Sequence, residues 1–317
     1  MGGRALVLAG CALGVIGPAC RGRDPAPAAA VVSSPAPPPS KPAPAPKPPP
    51  ATPSSAPRRV VIISEDGLRP DVLSADLTPR HIALMREGAT ARQAETIPES
   101  DTLPSHASML SGVGAAAHGL WWNSYKEERG YIHVPTIFSA AHAAGLSTAM
   151  IVGKPKLRHI AAPGTVDHYE RPSYLCTGVS RRAAEYFAIA APDLMFVHFS
   201  DPDEYGHSHG WMSPEYLKAV KDSDHCLATV LDAIDASGLA STTLVIVTAD
   251  HGGHGFRHSG GHYPIDRDIP WIVRGPGVTP GTVLDGTVET VDTAATVLAA
   301  LKLPALPHMI GSSRVAF

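Results

Sequence analysis

The sequence RVVIISEDG at residues 59–67 decides the fold class. Residues 59–63 end in a continuous β-branched run, which is typical of a strand buried on both faces of a sheet. Two acidic residues and a glycine follow directly, so the strand is predicted to end in a polar loop that carries Asp66. The same order, an apolar run and then a polar cluster, recurs further along the chain.

Apolar runs of strand length alternate with helix-like segments throughout residues 58–317. The further predicted strands are residues 146–152, 193–199, 243–248 and 269–273. The predicted helices are residues 78–87, 134–145, 179–191, 214–236 and 291–301. This alternation predicts an α/β fold, a three-layer α/β/α sandwich with a mostly parallel central sheet. In such sheets a ligand binds beyond the carboxyl ends of the strands.

Composition divides the 317 residues into three parts. Residues 1–20 contain a short basic start and an apolar run, which predicts a secretory signal because the run is too short to span a bilayer. Residues 21–57 hold 14 of the 32 prolines and no aromatic residue, which predicts a disordered linker of largely polyproline II character. Residues 58–317 remain as one folded domain.

The end of the predicted signal indicates where the protein works. Small residues precede Cys20, as at the processing site of a bacterial lipoprotein, so a lipid anchor at Cys20 is predicted. The stretch Leu8-Ala-Gly-Cys11 has a similar pattern behind a shorter apolar run, and cleavage near Ala19 without lipidation is the other alternative. Each of these alternatives predicts export across the inner membrane. The protein would then be periplasmic, or a lipoprotein of the outer membrane or cell surface.

The cysteine, charge and histidine content limits the classes of function that the sequence could have. An oxidising compartment permits a disulfide between Cys176 and Cys226, although spacing alone does not show that they are close. The formal net charge of −3 does not indicate the positively charged surface that nucleic-acid binding requires. All 16 histidines follow residue 58, and imidazole is the commonest metal ligand in proteins.

Carboxylates and imidazoles cluster after three predicted strands. Asp66 follows the first strand, Asp203 and His207 lie four residues apart in a Gly-containing loop, and Asp250 adjoins His251. Carboxyl ends of parallel strands meet at one edge of a sheet, so these residues are predicted to converge. A mixed Asp/His set suits two divalent ions, Zn²⁺ above all and Mn²⁺ as the alternative. Two such ions can clamp a phosphoryl group between them.

A hydroxyl nucleophile is predicted in ESDTLPSHASMLSG, residues 99–112, where a loop enters a helix. The candidates are Thr102 and Ser105. A helix N-terminus favours a bound anion, and a metal ion can activate a hydroxyl without a histidine base. The alternative is that one of the two residues only caps the helix.

Together these residues resemble the alkaline phosphatase superfamily, in its type I phosphodiesterase/nucleotide pyrophosphatase branch. The resemblance is carried by VIISEDGLRPD at residues 61–71, DTLPSH at 101–106, HGLWWN at 118–123, the pair Asp203 and His207, and Asp250-His251. It implies an alkaline phosphatase-like catalytic domain in residues 58–317. It also implies one metal site of Asp203, His207 and a later histidine, and a second of Asp66, Asp250, His251 and Thr102.

The resemblance further implies a reaction. Thr102 would attack phosphorus and form a phospho-enzyme that water hydrolyses, while Asn123 would hydrogen-bond a phosphoryl oxygen. His258 is the favoured later histidine, His262 is the alternate, and His254 is the third choice. The predicted function is therefore metal-dependent hydrolysis of a small phosphoric ester, either a monoester or a diester.

Substrate contacts are less specific in the sequence. Lys154 and Lys156 are predicted to pair with a phosphate oxygen and to favour monoesters, unless they are solvated loop residues. Trp121, Trp122 and Tyr205 either stack on a leaving group or simply pack within the protein.

Other functions on the same scaffold are alternatives to ester hydrolysis. A phosphonate hydrolase or a phosphomutase would use the same residues, although a mutase is poorly suited to an exported protein. A further alternative is a non-catalytic metal-binding surface protein. Such a protein would not need the nucleophile and Asn123 in addition to the metal ligands, and this sequence has all of them. The nucleophile loop also overlays that of sulfatases, but Thr102 cannot become the aldehyde hydrate that sulfatases use.

Overall fold

The structure, a computed structural model, describes residues 56–259 and 262–317. The predicted signal at residues 1–20, the lipidation candidates Cys20 and Cys11, and residues 21–55 of the predicted linker lie outside the described residues. Within the described ranges, no helix combines the length and the apolar character needed to cross a bilayer.

The described residues form one sheet, which is flanked by helices. Its strands are β1 (Arg59–Glu65), β2 (Ala89–Glu95), β3 (Thr148–Val152), β4 (His168–Glu170), β5 (Leu194–Phe199), β6 (Thr243–Thr248), β7 (Trp271–Arg274) and β8 (Thr282–Glu289). The α-helices are α1 (Pro79–Glu87), α2 (Thr102–Ser111), α3 (Ala115–His118), α4 (Ile137–Ala143), α5 (Cys176–Ala190), α6 (Asp201–His209), α7 (Pro214–Ala236), α8 (Pro264–Arg267) and α9 (Asp292–Ala300).

The strand order is β4-β3-β5-β1-β6-β7-β2-β8. β1 lies at the centre and pairs in parallel with β5 and β6, so that Val61 lies opposite Met195 and Val245. β7 alone among these strands runs antiparallel to its neighbours. The predicted mostly parallel sheet is therefore confirmed.

Side chains of β1 alternate between two apolar cores, as the twofold repeat of a strand requires. Val60 and Ile62 pack in the core shared with α2, α4 and α9, whereas Val61 and Ile63 pack in the core shared with α1, α5 and α7. All four side chains are fully buried. Burial of one such side chain contributes roughly 1.5–3 kcal/mol. Helices thus cover both faces, which confirms the predicted three-layer α/β/α architecture.

Several predicted boundaries need correction. The helix predicted at residues 134–145 begins at Ile137, because Thr136 and Ser139 form a capping box in which each side chain accepts the other's backbone N–H. β7 begins at Trp271 rather than at residue 269. The strands β2, β4 and β8 were not predicted. β8 is largely exposed at the edge of the sheet, so its sequence lacks a continuous apolar run.

The segment that carries Asp203 and His207 is a helix and not the predicted loop. α6 begins directly after β5, with Pro202 in its first turn. Gly206 allows the indole of Trp211 to lie against the helix, since a Cβ there would lie 2.6 Å from the ring. Helical spacing places Asp203 and His207 on one face of α6.

A disulfide joins Cys176 at the start of α5 to Cys226 in α7, with the Cα atoms 5.9 Å apart. The backbone N–H of Cys176 donates to Asp201 Oδ2 at 2.6 Å, which ties the disulfide to the first residue of α6.

Candidate active site

The predicted site residues lie at the carboxyl ends of three adjacent strands. Asp66 directly follows β1, Asp203 lies in the first turn of α6 behind β5, and Asp250 and His251 follow β6. Thr102 is the first residue of α2. Because β5, β1 and β6 are parallel neighbours, their ends lie at one edge of the sheet and these side chains meet there.

Two groups of side chains could each hold a metal ion. Asp203, His207 and His258 form one group, and Asp66, Asp250 and His251 form the other. The potential ligand atoms within each group lie within 4.8 Å of one another. This is the same division into two sets that the family resemblance implies, with His258 as the third residue of the first set.

The histidines of both groups are oriented by backbone carbonyl groups. Nδ1 of His207 donates to the carbonyl of Phe256 at 2.9 Å, that of His251 to Gly252 at 2.8 Å, and that of His258 to Ser100 at 2.6 Å. With Nδ1 donating to a carbonyl group, Nε2 of each imidazole faces the site, where it can hold either a proton or a metal ion. Nε2 of His207 and Nε2 of His258 are only 3.0 Å apart. Two nitrogen atoms at this distance share a proton or another cation between them.

Buried atoms without hydrogen-bond partners test whether metal ions fit. Within the described ranges they include Oδ1 of Asp66, Oδ1 of Asp203, Oδ2 of Asp250, Nε2 of His251 and Oγ1 of Thr102. Leaving such atoms unsatisfied away from water is costly, so native structures rarely tolerate several together. Each is an oxygen or a nitrogen that can ligate a divalent cation. The donor set therefore fits two metal ions.

The charges of the site also favour cations. Burial opposes protonation of His251, but the carboxylates of Asp250 and Asp66 outweigh burial and raise the pKa of this imidazole to about 10. Burial and the neighbouring His251 lower the pKa of His258 to about 3. Burial and the negative charge of Asp66 raise the pKa of Asp250. The carboxylates of Asp66 and Asp250 thus lie close enough to repel each other, and a bound cation would relieve this repulsion.

Lys154 lies between the two groups. Its ammonium is 2.7 Å from Asp66 Oδ2 and also contacts Asp203 Oδ2, and the side chain is almost fully buried. Burial alone would lower the pKa of Lys154, but the charges of Asp203 and Asp66 outweigh burial and raise it. Lys154 therefore remains charged and neutralises carboxylates of both groups.

Thr102 and Asn123 lie together at the start of α2. Asp101, and not Thr102 or Ser105, occupies the cap position of this helix, so the capping alternative is wrong for both hydroxyl residues. The Oδ1 atom of Asn123 accepts the backbone N–H of Leu103 at 3.1 Å. The hydroxyl of Ser105 is already engaged, because it accepts a hydrogen bond from Thr96 at 3.0 Å. Thr102 therefore presents the unengaged hydroxyl.

Lys156 reaches the same place from the other side. Its ammonium donates to Oδ1 of Asn123 at 2.9 Å. Oδ1 of Asn123 thus accepts two hydrogen bonds, and its amide nitrogen donates one N–H to Asp101 Oδ1 at 3.4 Å, which leaves the second N–H available to a ligand.

The remaining candidates lie apart from the two groups. His254 Nδ1 pairs with Asp266 at 2.6 Å, and His262 is exposed. Trp122 packs edge-on against His159, and Tyr205 stacks on His209. Trp121 is more than half exposed and remains open to a ligand.

Sequence reasoning missed three residues that support the site. Nε2 of His198 donates to Asp66 Oδ2 at 2.9 Å, and His106 lies with Nδ1 3.4 Å from Asp250 Oδ2. Ser100, which holds His258 through its carbonyl, has a positive φ of 45° that is uncommon outside glycine. A histidine in the otherwise apolar run MFVHF of β5 was a signal that could have identified His198.

The sequence matches a known family over most of this region. The family model of type I phosphodiesterases/nucleotide pyrophosphatases matches residues 60–266, which include every predicted metal-ligand position. The chain belongs to this family.

One relative of the chain is human ectonucleotide pyrophosphatase/phosphodiesterase family member 5. The two sequences are 27% identical over a region that covers 62% of this chain and 45% of the human protein. GPI ethanolamine phosphate transferase 1 of Gibberella zeae is 25% identical over 75% of the chain and 28% of its own length. The chain therefore spans less than half the length of these curated relatives.

Solved structures support the same fold. Murine ectonucleotide pyrophosphatase/phosphodiesterase 5 superposes with a TM-score of 0.68 at 16% identity, covering 79% of this chain and 96% of that one. A 2-O GAG sulfatase superposes with a TM-score of 0.66 at 18% identity, covering 81% and 73%. At these identities the likeness shows the alkaline phosphatase-like fold alone.

Proposed function

We propose that this chain is a metal-dependent phosphoric ester hydrolase in which Thr102 is the nucleophile. The observation that carries the proposal is the hydroxyl of Thr102 at the N-terminus of α2, which is buried and has no hydrogen-bond partner among the described residues. It shares this unsatisfied state with one carboxylate oxygen each of Asp66, Asp203 and Asp250. The membership of the chain in a phosphodiesterase family is consistent with this chemistry.

Two divalent ions would be held by the residues of the two groups. Asp203, His207 and His258 would hold one ion, and Asp66, Asp250, His251 and Thr102 the other. The mixture of carboxylate and imidazole ligands suits Zn²⁺ best, with Mn²⁺ as the alternative. When bound, the ions supply positive charge that stabilises the attacking and leaving oxygens.

The residues of the chain would act in two displacement steps. The Thr102 oxygen forms a bond to phosphorus, the bond from phosphorus to the leaving alcohol oxygen breaks, and the alcohol takes up the proton that the threonine loses, by way of solvent. A water oxygen then bonds to phosphorus and the bond to Thr102 breaks, which restores the threonine hydroxyl and releases the phosphate product. Asn123, through its amide nitrogen, would stabilise a phosphoryl oxygen in both steps.

Turnover of p-nitrophenyl phosphate and of bis-p-nitrophenyl phosphate by the zinc-supplemented protein tests this function. We expect at least one of the two substrates to be hydrolysed. Thr102→Ala should lower turnover by at least about 10³-fold with metal content retained, because the covalent step is lost. Thr229→Ala, a change of the same chemistry on the exposed side of α7, should leave turnover unchanged. Absence of turnover in a metal-loaded wild-type protein would contradict the proposal.

We also propose that the protein is exported and that a lipid on Cys20 anchors it to a membrane surface. The linker of residues 21–57 would connect this anchor to the folded domain. The support is the sequence pattern described above. Cys20→Ser should move the protein from the membrane fraction to the soluble fraction after cell lysis. Continued membrane association of the variant would contradict the lipid anchor.

A further inference from the structure

A cavity of about 370 Å³ lies at the carboxyl ends of β2 and β8. β7 runs antiparallel to both of its neighbours, β6 and β2, so β2 and its parallel partner β8 point in the same direction as β1. Their carboxyl ends therefore lie at the edge of the sheet that carries the metal groups, which is the edge where ligands bind in sheets of this kind. The volume is in the lower part of the range of small-molecule sites.

Apolar residues form most of the wall of this cavity. Ile97 and Pro98 follow β2, and Ala115 begins α3. Ile310, from the segment after α9, and Trp121 complete the wall. Both of these side chains are more than half exposed, so a ligand can reach the cavity from solvent. An open apolar cavity with an aromatic residue favours a small ligand whose body is apolar.

The charged residues of the wall leave negative charge without a partner. Arg267 lines the cavity, but its guanidinium is 2.8 Å from Glu95 Oε2 and its Nε donates to the carbonyl of Thr96 at 3.3 Å. The positive charge of Arg267 is therefore balanced within the protein. The carboxylates of Glu99 and Glu289 also line the cavity, and neither forms an ion pair or a hydrogen bond with another described residue. A cation would complement them.

A buried hydroxyl in the wall also has no partner. Thr290 directly follows β8 and is 1% exposed, and its Oγ1 has no hydrogen-bond partner among the described residues. Native structures rarely leave a buried polar atom unsatisfied, because this costs free energy. A ligand that brings an N–H donor would satisfy this hydroxyl and would also suit the carboxylate of Glu99.

We propose that this cavity binds a small primary ammonium compound with an alkyl or aryl body, independently of the phosphoryl site. An ammonium group has three N–H donors, enough for the hydroxyl of Thr290 and the carboxylates of Glu99 and Glu289. The apolar body would pack against Trp121 and Ile97. The inference goes beyond the proposed hydrolase function, since none of the residues that line the cavity belongs to a metal group.

Titration of the isotope-labelled, zinc-loaded protein with phenethylammonium, followed by nuclear magnetic resonance, is the first test and needs no turnover. The indole N–H signal of Trp121, identified by its loss in Trp121→Leu, should shift progressively as the cavity fills. Phenethyl alcohol has a similar shape without the charge and should bind at least about tenfold more weakly. Saturating inorganic phosphate should change the Kd for the amine by less than about twofold, because the cavity and the metal groups share no residue.

Variants that keep the shape of the wall test the polar contacts. Glu99→Gln removes one charge and should weaken phenethylammonium binding by about tenfold. Thr290→Val removes the hydroxyl and should weaken it by about three- to tenfold. Glu215→Gln is the matched control, because Glu215 is exposed in the first turn of α7 and also lacks an ion pair among the described residues. It should leave the Kd unchanged, and all three variants should keep the Tm of the wild type.

Absence of a shift of the Trp121 signal up to about 20 mM phenethylammonium would overturn the inference. Equal affinity for the alcohol would overturn it as well, because the cavity would then select only apolar groups. Unchanged affinity in Glu99→Gln, or loss of binding in saturating phosphate, would show that the amine binds elsewhere. If the wild-type protein hydrolyses neither ester, the proposed function fails, and the titration still decides whether the cavity binds an ammonium group.

Discussion

Replacing His81 by glutamine should destabilise the protein below pH 7 and have much less effect above pH 9. His81 is fully buried in α1 and belongs to neither of the two metal groups. Its Nδ1 contacts Asp224 Oδ1 at 2.7 Å and its Nε2 contacts Glu65 Oε1 at 2.9 Å. Ser223 also donates to Glu65. The imidazole thus joins α1 to the end of β1 and to α7.

The expected magnitude follows from the pKa of this imidazole. Burial opposes its charge, but Glu65 and Asp224 outweigh burial and raise the pKa of His81 from 6.5 to about 9. A pKa that is higher in the folded state stabilises that state fully below the unfolded value, and the stabilisation is lost as the pH rises through the folded value. At about 1.4 kcal/mol per tenfold change in proton affinity, the contribution is about 3 kcal/mol. Removal of one partner from a buried ion pair typically costs about 3–5 kcal/mol, which is consistent.

The assay is urea unfolding of wild type and His81→Gln between pH 6 and pH 10 at fixed metal concentration. The difference in free energy of unfolding between them should fall by about 3 kcal/mol over the window from pH 6.5 to about 9. His225→Gln, at an exposed position of α7, is the matched control and should show no such trend. A difference that stays constant across this pH range would refute the assignment of charge to His81.

Three further predictions concern the metal site and the disulfide. His258→Ala should lower the metal content by about one ion per chain in elemental analysis, whereas His262→Ala should not, because only His258 belongs to a ligand group; equal loss in both would contradict this. His198→Phe, which removes the donor to Asp66, should weaken zinc binding by about 10- to 100-fold in competition with a chelator; unchanged affinity would show that this hydrogen bond is dispensable. Replacing Cys176 and Cys226 together by serine should lower the free energy of unfolding in urea by about 4 kcal/mol, since the bridge closes a loop of sequence separation 50; a loss below 1 kcal/mol would indicate that the unfolded chain is constrained in other ways.

The central part of the sheet could be predicted because its strands are buried on both faces. β1 and β6 carry continuous apolar runs within the boundaries that their sequences suggest. β2, with the sequence ATARQAE, is partly exposed and contains charged and polar residues, so its strand character depends on its neighbours in the sheet. The helical state of α6 was not predicted because its segment contains Pro202 and Gly206, residue types that are also common in loops.

The residues predicted to bind metal could be placed because they directly follow predictable strands. Supporting residues could not be placed in this way. His198 and Asp66 are separated by 132 positions, and the carbonyl of Ser100 meets His258 across 158. Contacts between residues so far apart in the sequence arise from the topology of the fold. A single sequence contains no local signal that shows which of these residues pair.

The reversed direction of β7 has a consequence for how this enzyme family member could diversify. Because β6 and β7 are antiparallel neighbours, the chain that leaves β6 returns to the sheet at the same edge, without a crossover to the opposite end. The described residues between these strands, 249–259 and 262–270, contribute both His251 and His258 at the edge where Thr102 lies. An exposed insertion in this connection would reshape the approach to the metal groups without changing the strand order of the sheet. Changes in this segment can therefore alter the surroundings of both metal groups without changing the order of the strands.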